Sequence, residues 1–440
     1  MTTTPETPAT PAYLAGDLAP VPDEVGAFDL PVTGSLPPEL TGRYFRNGPN
    51  PLPGENPGHW FAGAGMIHGI RLREGRAEWY RNRWVRTRAL IEGAVLVGPD
   101  GVDRTAVSAN TSVIRHAGRI LALVESGFPY EMTPELETVG PYDFGGRLTT
   151  AMTAHPKRDP VTGELHFFGY GFAPPYLTYH RLSAAGELVE SRVVDVPGPT
   201  MIHDFAITEN HVVWLDLPVV FDMNKVGNGL PFEWDDSYGA RLGVMDRAGK
   251  VTWFDVDPCY VFHVGNARED ASGRVVLDAV RYSRESFNAI WGRISGSANP
   301  AAEAGGAVLH RWVLDAANGT VREEQLDDRA VEFPTLNEDR LGRAGRLLYT
   351  VSDDAVVKYD TETGVGQVEE VGGRPGEAIF VPAAGAETED GGWLLSIVTD
   401  HSGDGSRLLV LDAAGLDFVA SVRLPRRVPS GFHGSWMADH

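Results

Sequence analysis

The side chains best suited to chemistry are four histidines in short apolar contexts, far apart in the chain. They are His155 in TAHPKRD, His203 in TMIHDF, His263 in YVFHVGNA and His433 in GFHGSW. Neutral imidazole binds iron, zinc and copper, so these four are candidate metal ligands. No local ligand pair such as CxxC supports this interpretation, and a histidine in an apolar strand is more often a core residue. The pattern alone leaves both interpretations open.

Histidines this widely separated meet only in a fold that brings the chain back repeatedly to one place. The chain has 51 Gly and 31 Pro, scattered along its whole length. Six turns open with Asp or Ser and close with Gly, so that the polar side chain caps the turn and Gly accepts positive φ. They span 159–163, 183–186, 246–249, 315–319, 360–364 and 412–415. Between such turns the sequence predicts strands at 212–217, 242–245, 251–256, 347–351, 394–398 and 408–411. A helix is predicted only over Arg284–Ile294.

The recurrence of hairpins predicts an all-β fold. At roughly 40 to 60 residues per four-stranded sheet, a closed radial array would hold about seven blades, which favours a seven-bladed β-propeller. Because no clean sequence repeat is visible, a large sandwich or two barrels remain alternatives. We expect a disordered tail over residues 1–20 and a single domain over 21–440.

Composition narrows the partners. Acidic residues number 60 against 38 Lys and Arg, a formal charge of -22, which disfavours nucleic acid and anionic bilayers as electrostatic partners. The single cysteine, Cys259, excludes an intramolecular disulfide and a thiolate metal cluster. With no basic, apolar leader and no 18-residue apolar run, the sequence predicts a soluble cytoplasmic protein of unknown oligomeric state.

Seven segments, in order, resemble the carotenoid cleavage oxygenase family. They are GRYFRNGPNP (42–51), FAGAGMIHGI (61–70), TAHPKRDPVTGELHFFGY (153–170), MIHDFAITENHVVW (201–214), FHVGNA (262–267), EFP (332–334) and GFHGSW (431–436). Each segment alone is weak evidence, but the series spans nearly the whole chain and includes all four histidine contexts. The resemblance implies a seven-bladed β-propeller with a helical dome over a central metal.

The resemblance also implies a site. It assigns Fe(II) to His155, His203, His263 and His433, with positions left open for dioxygen. Carboxylates are expected behind the imidazoles to fix their tautomers and balance charge. The resemblance points to Glu125 behind His203, Glu332 behind His263 and Glu389 behind His433, with Glu387 as the alternative for the third.

The implied reaction is oxidative cleavage of one alkene bond of a carotenoid or apocarotenoid to two carbonyl products, with no protein acid or base. Candidate substrate contacts are Trp60, Phe61, Trp84 and Phe128. The resemblance implies that family members that cleave 4-hydroxystilbenes carry a Tyr and a Lys at two positions, which are occupied here by Trp84 and Val124. Since a phenolate in an apolar wall is costly to bury, their replacement favours carotenoids over stilbenes.

Further alternatives lie in other functional classes. A propeller with packed histidines would be a non-catalytic binding scaffold, and one with paired channel carboxylates would be a hydrolase. A hydrophobic substrate also predicts transient peripheral membrane contact through an apolar patch, with 217–221 and 287–294 as candidate segments.

Overall fold

The computed structural model describes residues 10–227, 229–295 and 306–439. Its strands form seven antiparallel sheets that follow one another along the chain as the blades of a β-propeller, as predicted.

The strands of the seven blades, in spatial order across each sheet, have the following bounds. Blade 1 contains Gly26–Phe28, Arg76–Trp84, Gly65–Arg73, Gly42–Pro49 and Gly434–Ala438; blade 2 contains Thr138–Pro141, Tyr130–Met132, Arg119–Leu123 and Ser112–His116; blade 3 contains Lys157–Arg158, Leu165–Tyr170, Leu177–Leu182 and Leu188–Val194; blade 4 contains Ala206–Ile207, Val212–Asp216, Arg241–Met245 and Val251–Asp255. Blade 5 contains Val264–Glu269, Val275–Arg281, Val308–Asp315 and Thr320–Gln325; blade 6 contains Glu332–Thr335, Leu347–Val351, Ala355–Asp360 and Val365–Glu370; blade 7 contains Val32–Gly34, Phe418–Arg423, Ser406–Asp412, Gly392–Thr399 and Arg374–Pro375, with Ile379–Pro382 also paired to Gly392–Thr399. Two small hairpins lie outside the blades: Val219–Phe221 with Phe232–Trp234, and Val97–Gly98 with Gly101–Val102.

The two ends of the chain close the ring. The C-terminal strand Gly434–Ala438 pairs with Gly42–Pro49 and so completes blade 1. Near the N-terminus, the strand Val32–Gly34 pairs with Phe418–Arg423 and completes blade 7. Each end is thereby held by a ladder of backbone hydrogen bonds to a distant part of the chain, which leaves these strands fewer unpaired edges.

Five of the six predicted turns close on a Gly at positive φ; in the sixth, over 412–415, the positive φ (+60°) is at Leu416 instead. The Asp159 carboxylate accepts hydrogen bonds from the N–H groups of Val161 (2.8 Å) and Thr162 (3.0 Å), and Gly163 closes the turn at a φ of +71°. All six predicted strand segments lie on observed strands. The helix is present over Arg284–Ile294, which we call α2, and its N-terminus is capped by the side chain of Ser283.

Aromatic and aliphatic side chains fill the spaces between blades. Trp214, fully buried on the second strand of blade 4, stacks on Phe205 with ring centroids 5.6 Å apart. The edges of Phe168 and Tyr179 from blade 3 meet the same indole, at 5.8 and 6.0 Å. Packing of this kind fixes one blade against the next and so fixes the loops at the propeller axis.

Short helices lie outside the strands of the blades. Besides α2 they comprise α1 (Arg88–Glu92) and the 3₁₀ turns Ala12–Leu14, Gly16–Leu18, Trp60–Ala62, Met223–Lys225 and Glu338–Arg340. Tyr13 and Leu18 are buried, so the disordered tail predicted for residues 1–20 does not extend over 12–18. Residues 1–9 lie outside the described ranges. Among the helices of the described residues, none combines the length and apolar character needed to cross a bilayer.

Candidate metal centre

The four predicted histidines meet although 278 positions separate the first from the last. One ring nitrogen from each of His155, His203, His263 and His433 lies within 4.8 Å of the others. Each histidine stands one to three residues before an edge strand of its blade; these strands are Lys157–Arg158, Ala206–Ile207, Val264–Glu269 and Gly434–Ala438. The propeller therefore brings them together by placing the starts of these strands around one axis.

Three carboxylates hold the imidazoles from behind. The Nδ1 of His203 lies 2.9 Å from Glu125 Oε2, and the Nδ1 of His263 lies 2.6 Å from Glu332 Oε2. These contacts agree with the pairings that the sequence resemblance implied. Because Nδ1–H donates to a carboxylate, the lone pair of each ring is on Nε2, which faces the other histidines.

The third carboxylate is Glu377, and the prediction of Glu389 is wrong. Glu377 accepts from His433 Nδ1 at 3.0 Å and from the Gly434 N–H at 2.7 Å. Glu389 instead lies in a turn of blade 7, where it accepts hydrogen bonds from the N–H groups of Arg346 and Leu347. Glu387, the alternative, is exposed.

The distribution over the blades explains the correction. Blades 1, 3, 4 and 5 each supply one histidine, whereas blades 2, 6 and 7 each supply one glutamate. Blade 7 approaches the axis at 374–382, where Glu377 precedes the apolar strand Ile379–Pro382. Glu125 and Glu332 likewise adjoin apolar stretches, whereas Glu389 lies in the polar run ETEDGG. That contrast is the sequence signal by which Glu377 could have been found.

Two tyrosines that sequence reasoning missed hold the carboxylates in turn. The Tyr282 hydroxyl donates to Glu332 Oε1 at 2.6 Å, and the Tyr170 hydroxyl is hydrogen-bonded to Glu125. Phe333 adds a backbone N–H to Glu332 at 2.6 Å and stacks its ring on His263 at 5.0 Å. Its φ of +52° is strained for a bulky residue, and such strain concentrates at functional sites.

Burial and hydrogen bonding set the protonation of these groups. Burial and the neighbouring imidazoles lower the pKa of His155 well below its ordinary value, so this ring is neutral. For His263 burial lowers the pKa, but Glu332 outweighs it and leaves the pKa raised. For Glu332 burial acts in the opposite direction and raises the pKa. His263, Tyr282 and the Phe333 N–H outweigh this effect and bring the pKa of Glu332 below its usual value.

The donor set fits a divalent transition metal. The buried Nε2 of His263 has no hydrogen-bond partner among the described residues, and the Nε2 atoms of His155 and His203 lie 3.0 Å apart. Two imidazole lone pairs at that distance repel unless a cation or proton lies between them. Four neutral nitrogens suit iron, zinc or copper better than magnesium or calcium, which prefer oxygen.

A buried cation lies close to this set of anions. Arg46 is 3% exposed, and its guanidinium nitrogens lie 3.2 and 2.9 Å from the points where a side chain would begin on Gly376 and Gly431. A side chain at either glycine would crowd the guanidinium beside the segments that carry Glu377 and His433. With a divalent metal, the formal charges of Arg46 and the three carboxylates cancel, which lowers the cost of burying them.

A cavity of about 690 Å³ opens onto the histidines. This is the size of a site for one drug-sized molecule. His203, His263 and His433 form its inner end, and its walls are mostly apolar. The apolar wall includes Trp60, Phe61, Val107, Val124, Met201, Phe232, Phe262, Ile290 and Phe432.

The four predicted substrate contacts divide evenly. Trp60 and Phe61 line the cavity. Trp84 does not: its indole donates to the Asn50 carbonyl at 2.8 Å, behind the lining. Phe128 packs between blades 2 and 3, also away from the cavity. The predictions for Trp84 and Phe128 are therefore wrong, because both rings serve the core.

Comparison with known sequences gives matches over almost the whole chain. The model of the retinal pigment epithelial membrane protein family matches residues 18–438. A carotenoid cleavage oxygenase of Mycobacterium tuberculosis is 41% identical over an alignment 495 positions long, which covers 96% of this chain and 97% of that protein. A carotenoid 9,10(9',10')-cleavage dioxygenase of Arabidopsis thaliana is 35% identical, and the alignment covers 97% of this chain and 90% of that protein.

Solved structures agree with these matches. A lignostilbene dioxygenase of Pseudomonas brassicacearum superposes with a TM-score of 0.86 at 29% identity, covering 100% of both chains. A cobalt-substituted apocarotenoid oxygenase of Synechocystis superposes with a TM-score of 0.80 at 26% identity, covering 95% of this chain and 97% of that one. Fold, histidine cluster and sequence thus lead to one conclusion: this chain belongs to the retinal pigment epithelial membrane protein family, the family of the carotenoid cleavage oxygenases.

Proposed function

We propose that this protein is a non-haem Fe(II) dioxygenase that cleaves one carbon–carbon double bond of a carotenoid or apocarotenoid. The observation that carries the proposal is the cluster of four imidazoles, three of them held by carboxylates, at the inner end of an apolar cavity. Iron bound there would supply dioxygen activation, so that both oxygen atoms enter the alkene and two carbonyl products leave.

The residues of this chain would orient and shield. His155, His203, His263 and His433 would hold the metal, while Glu125, Glu332 and Glu377 keep three of the rings in the tautomer that presents Nε2. The aromatic wall would bind a polyene by apolar contact and exclude water from the reacting bond.

The wall beside Glu125 favours a polyene over a hydroxystilbene. Val124 lines the cavity. By the family resemblance, members that cleave hydroxystilbenes carry a lysine at this position. An apolar side chain there leaves a phenolate without a counter-charge, which disfavours its binding. Trp84 gives no second basis for this preference, because its ring lies behind the lining. The alternative substrate class remains a stilbene or other aryl alkene.

Oxygen labelling tests the proposal. Fe(II)-loaded protein would be incubated with an apocarotenoid under ¹⁸O₂, and both carbonyl products analysed by mass spectrometry before exchange with water. We expect one labelled oxygen in each product and no products from the His203→Ala variant. Faster turnover of a hydroxystilbene than of every apocarotenoid would assign the stilbene class instead. A fully loaded protein that cleaves neither class would support the scaffold alternative.

We also propose transient contact with a membrane through the hairpin Val219–Phe221 with Phe232–Trp234 and the 3₁₀ turn Met223–Lys225. Phe172, Met223 and Val226 are exposed there, and Phe172 stacks on Phe221 at 5.3 Å. Phe232 of the same hairpin lines the cavity. The other candidate segment, 287–294, begins with the fully buried Phe287.

Flotation with neutral phosphatidylcholine vesicles tests the membrane contact. A variant with both Met223→Glu and Val226→Glu should no longer float with the vesicles. The cytoplasmic location stays a prediction.

A further inference from the structure

The outer end of the cavity carries charge, in contrast to its walls. Among the described residues, the charged side chains that line the cavity away from the histidine cluster are Asp17, Glu55 and Arg293. The Arg293 side chain is 56% exposed and Glu55 is exposed, whereas His433 is buried. These three residues therefore mark the mouth, and the histidines mark the closed end.

Asp17 is fixed in place by partners outside the cavity. Its Oδ2 lies 2.9 Å from Arg374 Nη1 and accepts from the Ser430 hydroxyl at 3.1 Å. The Ser430 N–H also donates to the Asp17 carbonyl at 2.8 Å. The 3₁₀ turn Gly16–Leu18 is thus held against the propeller, with Leu18 in the cavity wall.

Arg293 forms a long ion pair with Asp17. Its Nη2 lies 3.9 Å from Asp17 Oδ1, too far for a direct hydrogen bond. Among the described residues this is its one charged neighbour, although a guanidinium has five N–H donors. Ile290 and Ile294 from the same face of α2 line the cavity beside it. A donor and an acceptor therefore stand side by side at the mouth with a gap between them.

The gap suits a neutral oxygenated group. A hydroxyl group can accept from Arg293 and donate to Asp17 Oδ1 together, whereas an ionised carboxylate can accept from Arg293 but has no proton to donate to Asp17. Deeper in the cavity the mainly apolar wall makes burial of a hydroxyl costly. A polyene with one polar end would therefore enter with its apolar end first.

We propose that Arg293 and Asp17 form a subsite for the hydroxylated end of the substrate. The inference rests on the proposed function and names its substrate class more closely: a polyene with one terminal hydroxyl, held at the mouth while the chain lies along the histidines. Arg293 is a specificity-determining residue in this account and takes no part in the cleavage step.

The test compares substrates that differ only at one end. An apocarotenol, the matching hydrocarbon with hydrogen in place of the hydroxyl, and the matching acid would be assayed with Fe(II)-loaded wild type and Arg293→Met. Arg284→Met is the matched control, since Arg284 lies on α2 in a salt bridge with Asp236 (2.7 Å) and is not part of the cavity lining. Asp17→Asn tests the acceptor.

In wild type, kcat/KM should be about tenfold higher for the alcohol than for the hydrocarbon, the value of one hydrogen bond to a charged group. Arg293→Met should remove that preference by raising KM for the alcohol, with the hydrocarbon unchanged. Asp17→Asn should narrow the difference in kcat/KM between the alcohol and the acid. The subsite would be overturned if Arg293→Met lost kcat/KM equally on the alcohol and the hydrocarbon, or if Arg284→Met showed the same loss. A wild type that prefers the acid would also overturn it. Cleavage of none of the three would overturn the proposed function itself, whereas cleavage without end-group preference would overturn only the subsite.

Discussion

Replacing Glu377 by Gln should weaken metal binding without unfolding the protein. Glu377 makes two hydrogen bonds, from His433 Nδ1 at 3.0 Å and from the Gly434 N–H at 2.7 Å. A glutamine has one oxygen, so one of these donors must face the new NH₂ group. The substitution also removes the negative charge that favours a cation on the far side of His433.

The expected magnitude follows from these contacts. Loss of one charge-assisted hydrogen bond costs about 1.5 to 3 kcal/mol. If most of this cost falls on the orientation of His433, metal affinity drops by about 10- to 100-fold, the usual effect of removing a partner that orients a ligand. The same range corresponds to about 1.4 to 2.8 kcal/mol of binding free energy.

Glu389 supplies a matched control. It also accepts two backbone N–H groups, at 2.9 and 2.8 Å, but it lies away from the four histidines. Anaerobic competition with a chromogenic chelator gives the Kd for Fe(II) in wild type, Glu377→Gln and Glu389→Gln. We expect weaker binding in Glu377→Gln alone. Equal affinity in all three proteins, or equal weakening in both variants, would refute the reasoning.

Four further predictions concern the wall, the core and pH. Val124→Lys places an ammonium in the apolar wall, so apocarotenoid turnover should fall by tenfold or more while turnover of a 4-hydroxystilbene rises, as compared by product analysis (about 1.4 kcal/mol per factor of ten). Phe61→Ala removes an aromatic wall and should raise KM for a polyene, whereas Phe128→Ala should lower only the melting temperature. Trp214→Ala should cost about 3 to 5 kcal/mol of unfolding free energy in urea titration, because the indole is fully buried. Burial raises the pKa of Glu269, but hydrogen bonds from neighbouring polar groups outweigh it and lower the pKa from 4.5 to about 2. Its stabilisation is therefore complete above pH 4.5 and lost as pH falls through about 2, so the melting temperatures of wild type and Glu269→Gln should converge over that range.

The sequence predicted the propeller because its signals are local. Asp159 and Gly163 form the predicted turn through contacts between residues two to four positions apart. The start of α2 follows from Ser283, whose side chain caps its first turn. The closure of the ring by Gly434–Ala438 on Gly42–Pro49 joins the two ends of the chain, and no local pattern specifies that pairing.

The site was predictable where residue type and family resemblance agreed, and not where three-dimensional packing decides. All four histidines converge, yet the resemblance pointed to Glu389, with Glu387 as the alternative, although both lie in a polar run of the sequence and Glu377 precedes an apolar strand. Trp84 and Phe128 were misplaced for another reason: an aromatic residue fills a core or a cavity wall equally well, and only its neighbours decide which.

Anaerobic Fe(II) loading followed by metal analysis tests the central claim most directly. Wild-type protein, desalted after loading, should retain close to one iron per chain, and His203→Ala should retain almost none while keeping its far-ultraviolet spectrum and melting behaviour. Absence of stoichiometric iron in freshly loaded wild type, or equal retention by the folded His203→Ala variant, would contradict the account of a four-histidine iron centre.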